Sequence, residues 1–571
     1  MFPKTTPQLS KILKQCTSNS KAVRASIPSP SYKPPRCRVV GNMLSPNGIA
    51  FVDNVKSSEY SIPTYGGSNS SDSVNATSNP FDRVISLQDM KFELQARDPT
   101  TITIPIRDDL NGNVLKITKQ IEKVLVSCPP SVTIQTLLET LKPHNLTLPN
   151  LASIDQQTVG GFVSVSAHGS GGGIGPVDTF VEGIGVVYPR DVDSATPLSN
   201  SNPFDVTLVG MGGLGVLTDV TFRAVERYKI KEVTRTVSRK EAVGLLRGGI
   251  VHRFKHCRFM WIPYEDKVIV VTGEETDEKV GGGGGLSAME ERLKENVAKQ
   301  PLVDLVRTVR GKGKKPEQNN VDDDLEGLSF ADLRQLALMG GEGPLDVEVV
   351  KAVNRAEGMF WSGTTEGGKT RVGWNEQVLQ FDCGGSQEVL EVCFPVQDQD
   401  DVTVMLDLLE KIETGKFPAP GPIEQRWSAG SNSVFSPASF KAGDGSDIKF
   451  KDADKKVFSW VGVIMYLPLE TEDDEDEDGD GNGNGGANLT RNQISTTFAN
   501  EYTDLVYSVL PELGVPHWAK ILVPGGVAAK ADLKSRIERR YPVDKWRERR
   551  MLVDPERVLG NGVLDFCFEK E

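Results

Sequence analysis

Two charged residues separated by one position have the clearest catalytic potential in this sequence. Glu424 and Arg426 flank Gln425, and on a β-strand residues two apart face the same side. A carboxylate can hold the hydroxyls of a substrate, and a guanidinium can stabilise negative charge that develops on an oxygen. The spacing therefore predicts a ligand-binding pair. A surface ion pair is the alternative that these residues alone leave open.

Glycine is concentrated in three clusters, at positions 40–48, 150–173 and 210–216. Glycines interleaved with serine and threonine allow successive backbone N–H groups to converge on phosphate oxygens without obstruction from Cβ atoms. The three clusters together favour a phosphate-bearing ligand, although tight turns would explain any one of them.

Two familiar nucleotide-binding patterns also occur, and we interpret both as chance matches. Gly210, Gly212 and Gly215 spell GxGxxG, but the run that follows alternates like a strand, whereas the dinucleotide fingerprint must open a helix. Residues 363–370 spell the P-loop pattern GxxxxGK[ST]. No buried strand precedes them, and a strand-like run follows.

The elements that must position these residues fall into two regions. From 101 to 215, strand-like runs (TITIPI, VLVSC, GFVSVS, VEGIGVVY and DVTLVG) alternate with one helix-like run, VTIQTLLETL. Beyond about 229, FMWIPYEDKVIVVT, RVGWNEQVLQFDCGG and VFSWVGVIMYLPL predict strands of a second sheet, and 532–555 predicts a basic helical stretch. The fold class predicted is α+β.

The same pass along the chain predicts its domains. A first domain covers 1–229, a second covers 230–510, and a C-terminal segment covers 511–571. Composition predicts disordered loops at 274–325, which contains a run of five glycines, and at 470–489, which is acidic and rich in glycine and asparagine.

Composition excludes several classes of protein. The net charge of −13 argues against a nucleic-acid binder, and nine acids lie between 470 and 480 alone. The longest apolar run, 457–469, is too short to span a bilayer and contains Pro468, so only peripheral membrane association stays open. Seven scattered cysteines without a CxxC pattern predict reduced intracellular thiols. His252 and His256 have no carboxylate nearby in sequence, so no metal site is predicted.

The first 38 residues carry eight Lys or Arg and no acid. This composition is typical of an organelle transit peptide. Thr6–Gln15 also has a capping threonine and helical apolar spacing, which predicts the first helix of the domain. Both interpretations stay open.

These motifs, in this order, resemble a known family. VGxxLSPNG, then LPNLASIDQQTVGG with SAHGSG, then GMGGLGV are similar to the FAD domain of the vanillyl-alcohol-oxidase-type flavoproteins, and closest to its aldonolactone oxidoreductases. PIEQRW (422–427) and HWAK (517–520) resemble the plant-type L-galactono-1,4-lactone dehydrogenases. The resemblance covers nearly the whole chain except 52–80 and parts of the two glycine-rich loops. It implies a two-lobed FAD-binding domain with an α+β cap domain that binds the substrate.

The resemblance also assigns residues to the cofactor. It implies that FAD is bound by Gly41, Asn42, Met43, Leu44, Ser45, Ala152, Ser153, Gly160, Gly161, His168, Gly169, Gly171 and Gly215. Leu44 replaces the histidine that carries covalent flavin in some relatives, so the expected FAD is non-covalent. Asn42 and Met43 depart from the smaller residues usual in the family. Ala152 stands where oxygen-using oxidases have glycine, which favours a dehydrogenase, and His168 is expected to position the flavin loop.

The resemblance assigns Glu424 and Arg426 to substrate binding. It places Lys520 near flavin N1–C2, where a positive charge would stabilise reduced anionic flavin. His517 would orient Lys520. Cys383 matches an oxidation-sensitive cysteine near the active site of relatives, and a buried inert thiol is the alternative.

The activity implied is oxidation of an aldono-1,4-lactone, foremost L-galactono-1,4-lactone to L-ascorbate. Hydride would pass to flavin N5 and electrons to cytochrome c, at the mitochondrial inner membrane or in the intermembrane space. One alternative is an oxygen-using L-gulono- or D-arabinono-1,4-lactone oxidase. Another is a flavoprotein that acts on an intermediate of respiratory complex I assembly. The acidic run 470–480 is either a solvated loop or a means of steering a basic partner such as cytochrome c.

Overall fold

The computed structural model describes most of the chain. The described residues are 6–26, 37–40, 83–86, 101–105, 114–119, 123–190, 195–199, 207–281, 288–311, 325–340, 343–381, 386–452, 455–468 and 489–570.

The first lobe is built around an antiparallel sheet. Its elements are α1 (Thr6–Ser26), β1 (Cys37–Val40), β2 (Arg83–Ser86), β3 (Thr101–Pro105), β4 (Val114–Lys119), β5 (Val124–Cys128), α2 (Ile134–Leu141), β6 (Leu146–Thr147), α3 (Val159–Ser164), β7 (Val181–Val187), β8 (Ala195–Ser199) and β9 (Val216–Glu226). The sheet order is β3-β4-β5-β9-β7-β8, and β6 pairs with β9. Strands β1 and β2 form a separate parallel pair.

The second region contains an eight-stranded antiparallel sheet. Its elements are β10 (Lys229–Val237), α4 (Arg239–Arg247), α5 (Ile250–Arg253), β11 (His256–Ile262), β12 (Lys267–Thr276), α6 (Ala288–Gly311), α7 (Phe330–Leu338), α8 (Val347–Thr364), β13 (Lys369–Trp374), α9 (Asn375–Leu379), β14 (Gln387–Pro395), α10 (Asp400–Gly415), β15 (Ile423–Ala429), β16 (Val457–Tyr466), α11 (Arg491–Thr497), α12 (Thr503–Tyr507) and β17 (Val515–Pro516), followed by α13 (Val527–Arg540), α14 (Val543–Val553) and α15 (Gly562–Phe568). The strand order is β13-β10-β12-β11-β15-β16-β14-β17.

The two faces of the second sheet differ in chemistry. Because side chains alternate along a strand, Gln425 and Trp427 of β15 share one face. There Trp427 Nε1 donates to Asp401 Oδ2 of α10 at 2.9 Å, and Trp261 Nε1 donates to Gln425 Oε1 at 3.0 Å. Glu424 and Arg426 point to the opposite face.

The C-terminal segment contacts both regions. Strand β17 pairs with β14 at the edge of the second sheet. In α14, Arg549 Nη2 donates to the Tyr188 hydroxyl of the first lobe at 2.8 Å, and the Val553 carbonyl accepts from the Arg190 backbone N–H at 3.0 Å. The segment therefore ties the second sheet to the first lobe.

The helix predicted at Thr6–Gln15 is present in α1. Its buried residues Leu9, Leu13 and Cys16 pack against Val187 and Val216 of the first sheet, and against Val558 and Leu559 of the C-terminal segment. The prediction of a helix within 132–141 is confirmed by α2, whose N-cap Thr133 Oγ1 accepts from the Thr136 backbone N–H at 3.1 Å.

The two nucleotide-motif matches are chance matches, as predicted. Gly210, Gly212 and Gly215 lead into strand β9 and not into a helix. The GTTEGGKT run begins inside α8 and ends in strand β13, which reverses the strand–loop–helix order that a P-loop requires.

The predicted disordered loop at 274–325 is wrong over 288–311, which forms α6. Leu302, Val303 and Val306 of α6 are buried against α7 and α8. These three residues have helical spacing. The segment was nevertheless predicted to be disordered because of the glycine run that precedes it. The second predicted loop, 470–489, lies outside the described residues except for its last position.

Three predicted strands also differ from the structure. GFVSVS overlaps helix α3, which Thr158 caps. Thr207–Val209 of DVTLVG forms a turn. The run RVGWNEQVLQF leaves strand β13 at Trp374 and continues as helix α9. In each case β-branched composition gave the wrong prediction because local capping and tertiary contacts decide such short segments.

The basic stretch 532–555 is helical as predicted, but it is divided between α13 and α14. Proline at 542 accounts for the break, since it lacks the N–H that a continuous helix would need. Among the described residues, no helix is both long and apolar enough to cross a bilayer.

Candidate active site

Glu424 and Arg426 lie together on one face of β15, as their spacing predicts. Arg426 Nη2 donates to Glu424 Oε2 at 2.5 Å. The Arg426 side chain is only 10% exposed, and the Glu424 side chain is 20% exposed. Burial opposes ionisation of Glu424, but the Arg426 and Arg258 guanidiniums outweigh it and hold the pKa of this carboxyl below its ordinary value. The pair is therefore a largely buried, ionised pair.

A second arginine, which the sequence analysis missed, lies beside this pair. Arg258 of β11 is directly opposite Arg426 in the β11–β15 register. Its Nη1 lies 3.7 Å from Glu424 Oε1, and its Cζ lies 4.1 Å from the centre of the Phe381 ring. A signal for it was present, because an arginine within the otherwise apolar run CRFMWI is unusual in a buried strand.

Arg258 and Arg426 line a pocket between the two regions. It is lined by Leu151, Gly169, Ser170, Ile230, Glu232, His256, Cys257, Arg258, Val271, Gly273, Val378, Leu379, Phe381 and Arg426. The first three come from the glycine-rich segment of the first lobe, and most of the others from the second sheet. The structure thus brings the predicted flavin segment and the predicted substrate residue to one cavity.

Backbone hydrogen bonds hold the two walls of the pocket together. The Gly171 N–H donates to the Trp427 carbonyl at 2.7 Å, and the Ala429 N–H donates to the Ile174 carbonyl at 3.0 Å. Strand β15 is therefore attached directly to the SAHGSG segment. This attachment fixes Arg426 relative to the first lobe.

Gly171 is required by this attachment. Its φ is +133°, and a Cβ built there would lie 2.3 Å from the Lys255 carbonyl oxygen. At Gly169 a Cβ would lie 2.3 Å from the Leu151 carbonyl oxygen. The close approach seen at both glycines is to neighbouring backbone of the protein.

We expect Gly171→Ala to destabilise the protein strongly. Left-handed strain and the overlap with Lys255 should together cost about 3 kcal/mol or more. Gly173→Ala is the matched control, because a Cβ at Gly173 has no heavy atom within 4 Å among the described residues. Chemical denaturation of both variants measures the difference, and equal stabilities would contradict the expectation.

His256 joins the two walls through its side chain. Its Nδ1 must donate to the Ser170 carbonyl, 2.8 Å away, because a carbonyl only accepts. Burial lowers the pKa of His256 to about 4, so the ring is neutral at pH 7 and Nε2 is an acceptor. Nε2 is buried and has no hydrogen-bond partner among the described residues. An unsatisfied buried acceptor in the wall of this pocket fits a bound ligand or cofactor.

Lys520 lies in a second polar cluster on the same face of the sheet. Its Nζ donates to Glu391 Oε2 of β14 at 2.8 Å, and His168 Nε2 lies 3.1 Å from the same oxygen. The His168 ring stacks on Trp460 with 3.7 Å between ring centres. Burial disfavours the charge on Glu391, but Lys520 and then His168 outweigh it and hold its pKa well below the ordinary value. Glu391 was not predicted from the sequence.

His517 is joined to Lys520 through the backbone, since its carbonyl accepts from the Lys520 N–H at 2.9 Å, and its role in orienting the Lys520 side chain stays a prediction. Its Nδ1 accepts from the Ala519 N–H at 3.1 Å. Burial holds the pKa of His517 well below its usual range, so the ring is neutral.

His168, Glu391 and His517 also have the spacing of a metal centre, because one ligand atom from each lies within 4.8 Å of the others. Glu391 Oε2 already accepts from the Lys520 ammonium, and His517 Nδ1 already accepts from the Ala519 N–H. The cluster is therefore built as a hydrogen-bonded network. His252 is exposed whereas His256 is buried, so these two do not form a site together.

Six predicted site residues lie outside the described part of the chain: Gly41, Asn42, Met43, Leu44, Ser45 and Cys383. Ala152 is 8% exposed and lies between the pocket residue Leu151 and Ser153, whose carbonyl accepts from the Phe381 N–H at 3.0 Å.

The other glycines assigned to the cofactor make contacts within the first lobe. The Gly160 N–H donates to the Pro130 carbonyl at 2.8 Å, and Gly161 follows it in α3. Gly215 has a φ of +145°, and a Cβ there would lie 2.4 Å from Val186 Cγ1. These glycines permit close packing within the lobe, and their assignment to a cofactor stays a prediction.

The chain is similar to known proteins in sequence and in fold. Residues 92–191 match the family model described as FAD binding domain. L-galactono-1,4-lactone dehydrogenase 2, mitochondrial, of Oryza sativa subsp. japonica is 34% identical over 454 residues, which cover 78% of this chain and 71% of that protein. The Arabidopsis thaliana L-galactono-1,4-lactone dehydrogenase, mitochondrial, is 33% identical over 472 residues, covering 80% and 71% of the two chains.

Cholesterol oxidase from B. sterolicum has the same fold, with a TM-score of 0.61 at 13% identity over 99% of this chain and 93% of that one. The predicted α+β class, with an FAD-binding domain and a second sheet domain, is confirmed. Sequence similarity over more than two thirds of both chains shows that this protein belongs to the L-galactono-1,4-lactone dehydrogenase family.

Proposed function

We propose that this protein is an FAD-dependent oxidoreductase that oxidises an aldono-1,4-lactone, foremost L-galactono-1,4-lactone to L-ascorbate, and passes the electrons to cytochrome c. The observation that carries the proposal is the buried Glu424–Arg426 pair, which borders a pocket that the glycine-rich segment of the FAD-binding lobe closes. Relatives that bear the lactone dehydrogenase name support the substrate class.

The pocket and the Glu424 carboxylate paired with its lining residue Arg426 offer the groups that a polyhydroxy lactone needs. Glu424 Oε1 is buried and has no hydrogen-bond partner among the described residues, so the ionised carboxylate can accept from a substrate hydroxyl. The Arg426 guanidinium can donate to an oxygen on which negative charge develops as the C2–H bond breaks. His256 Nε2 is a further acceptor for a hydroxyl proton.

When bound, FAD would supply the two-electron acceptor for this oxidation. Lys520, held by Glu391, is the cation proposed to lie at the pyrimidine edge of the flavin. Leu44 has no nucleophilic atom, so we propose that the flavin is held without a covalent bond.

A titration of the purified protein tests the proposal. Anaerobic L-galactono-1,4-lactone should bleach the visible flavin absorption, and oxidised cytochrome c should restore it. An aldonate with the same carbon skeleton but an open ring is the matched control and should bleach it far more slowly. Absence of bleaching with any aldonolactone would overturn the proposal.

The oxygen-using oxidase is the nearest alternative, and Ala152 distinguishes the two. A methyl group beside the pocket can obstruct oxygen while it leaves transfer from substrate open. We expect Ala152→Gly to speed reoxidation of the reduced protein by oxygen several-fold, with anaerobic reduction by lactone unchanged. Ala224→Gly, the same change in the core of the first sheet, is the control. Rapid peroxide release by the unmodified protein would instead favour the oxidase.

We further propose a mitochondrial location, which the names of the relatives support. A role in the assembly of respiratory complex I is a separate proposal. If the protein has that role, the Glu424→Ala, Arg426→Ala double variant should still support complex I assembly although it no longer oxidises the lactone.

A further inference from the structure

The described arginines around the pocket differ in how closely they pair with carboxylates. Arg371 Nε donates to Glu232 Oε1 at 2.7 Å, and Arg426 pairs with Glu424, so each of these carboxylates has its own guanidinium. Arg258 is the third guanidinium, and it approaches Glu424 only to 3.7 Å. Among the described residues, Arg258 is therefore the pocket guanidinium that has no carboxylate within hydrogen-bonding distance.

Arg258 is also arranged as a donor. Its Nη1 is buried and makes no hydrogen bond to the described residues, although it is an obligatory donor. Burial lowers the pKa of Arg258, which means that its charge is poorly solvated where it lies. An anion in the pocket would satisfy both the charge and the open N–H group.

We propose that Arg258 binds the anionic enediolate form of the product, beside Arg426, and so makes the pocket select an anionic product-like ligand over a neutral lactone. The proposal rests on the lactone oxidation proposed above. The two guanidiniums lie opposite each other on β11 and β15, a spacing that can donate to adjacent oxygens of one ligand. An enediol that has lost one proton presents such adjacent oxygens. A neutral lactone carries no negative charge that could pair with the Arg258 guanidinium.

The Phe381 ring favours arginine over lysine at position 258, because a planar guanidinium can pack against it. The ring lies 4.1 Å from Arg258 Cζ and 5.7 Å from Arg426 Cζ, so it packs against both guanidiniums from one side. This packing covers one face of the Arg258 guanidinium, whose Nη1 makes no hydrogen bond to the described residues and can donate to the ligand. A lysine at 258 would keep the charge but lose the planar fork.

Binding to the oxidised holoenzyme tests the proposal without turnover. The dissociation constant of L-ascorbate, and that of a neutral 2-deoxy aldonolactone that cannot be oxidised at C2, are measured from the change in the flavin absorption spectrum. Cytochrome c is omitted because ascorbate reduces it directly. Arg258→Gln should weaken ascorbate binding by about 10- to 100-fold, with the neutral lactone little changed. Arg258→Lys should give an intermediate loss.

Lys231→Gln is the matched control. It removes one positive charge from β10 next to the pocket residues Ile230 and Glu232, but its side chain pairs with Glu278 on the exposed face. It should change neither constant. Equal weakening of both ligands by Arg258→Gln would show a merely structural role, and no weakening of ascorbate would also overturn the inference. Failure of lactone to bleach the flavin would overturn the proposed function instead. The binding constants would still decide whether Arg258 binds an anion, because their measurement needs no turnover.

Discussion

Replacing Arg426 with alanine should lower kcat/KM for lactone oxidation by about 10²- to 10³-fold, the usual loss when one preorganised donor to a developing negative charge is removed. The guanidinium is fixed by Glu424 at 2.5 Å and by strand β15, which is bonded directly to the first lobe. Donation from a fixed group requires no rearrangement as the C2–H bond breaks. Most of the loss should therefore appear in kcat and not in KM.

Two controls belong with this variant. Arg223→Ala removes an arginine whose side chain is 46% exposed on the first lobe, and it should leave kcat/KM unchanged. The flavin content of Arg426→Ala should match that of the unmodified protein, since Arg426 lies on the second sheet. A variant with normal flavin content and an undiminished kcat would contradict the role given to Arg426.

Replacing Lys520 with methionine should destabilise the protein by about 3 kcal/mol at pH 7, because the buried Glu391 charge loses its ammonium partner and keeps only His168. The Glu391 side chain is only 5% exposed, whereas that of Lys520 is 30% exposed. The double variant Lys520→Met, Glu391→Gln should recover most of the loss, since no uncompensated charge remains. Chemical denaturation of the two variants and of Lys530→Met, an exposed lysine of α13, measures the difference.

The same variant should change how stability depends on pH. In the unmodified protein the pKa of Glu391 is lowered, so its contribution is present above the unfolded value of about 4.3 and is lost as pH falls below it. Without Lys520, burial should raise the pKa of Glu391. As the pH falls towards that raised pKa, the Glu391 carboxyl takes up a proton, and the destabilisation caused by its buried charge should decrease. The stability difference between the two proteins should therefore shrink from pH 7 to pH 5. A difference that grows on acidification would contradict this account of Glu391.

Local patterns in the sequence predicted the strongly periodic elements. The nearly continuous apolar run of β16, the paired strands β11 and β12, and the apolar face of α2 all specify their element type within a few residues. Short segments were less predictable. Helix α3 is built from β-branched residues and glycine, and α6 follows a glycine run that concealed its buried face.

The candidate site shows the same division. Glu424 and Arg426 are two apart on one strand, so the period of the strand alone places them on one face. Arg258 and Glu391 belong to β11 and β14, far from the pair along the chain, and no local pattern relates them to it. They reach it because the strand order β11-β15-β16-β14 is not the order of the sequence.

The sequence by itself determined the fold class, the resemblance to a flavoprotein family and the orientation of the Glu424–Arg426 pair. Only the tertiary structure decided which charges meet that pair, that Lys520 is bonded to a buried carboxylate, and that Gly171 joins strand β15 to the first lobe. The physical reason is that side-chain direction follows from the short period of a strand, whereas the neighbours of a strand are set by sheet order and by contacts between residues distant in the chain.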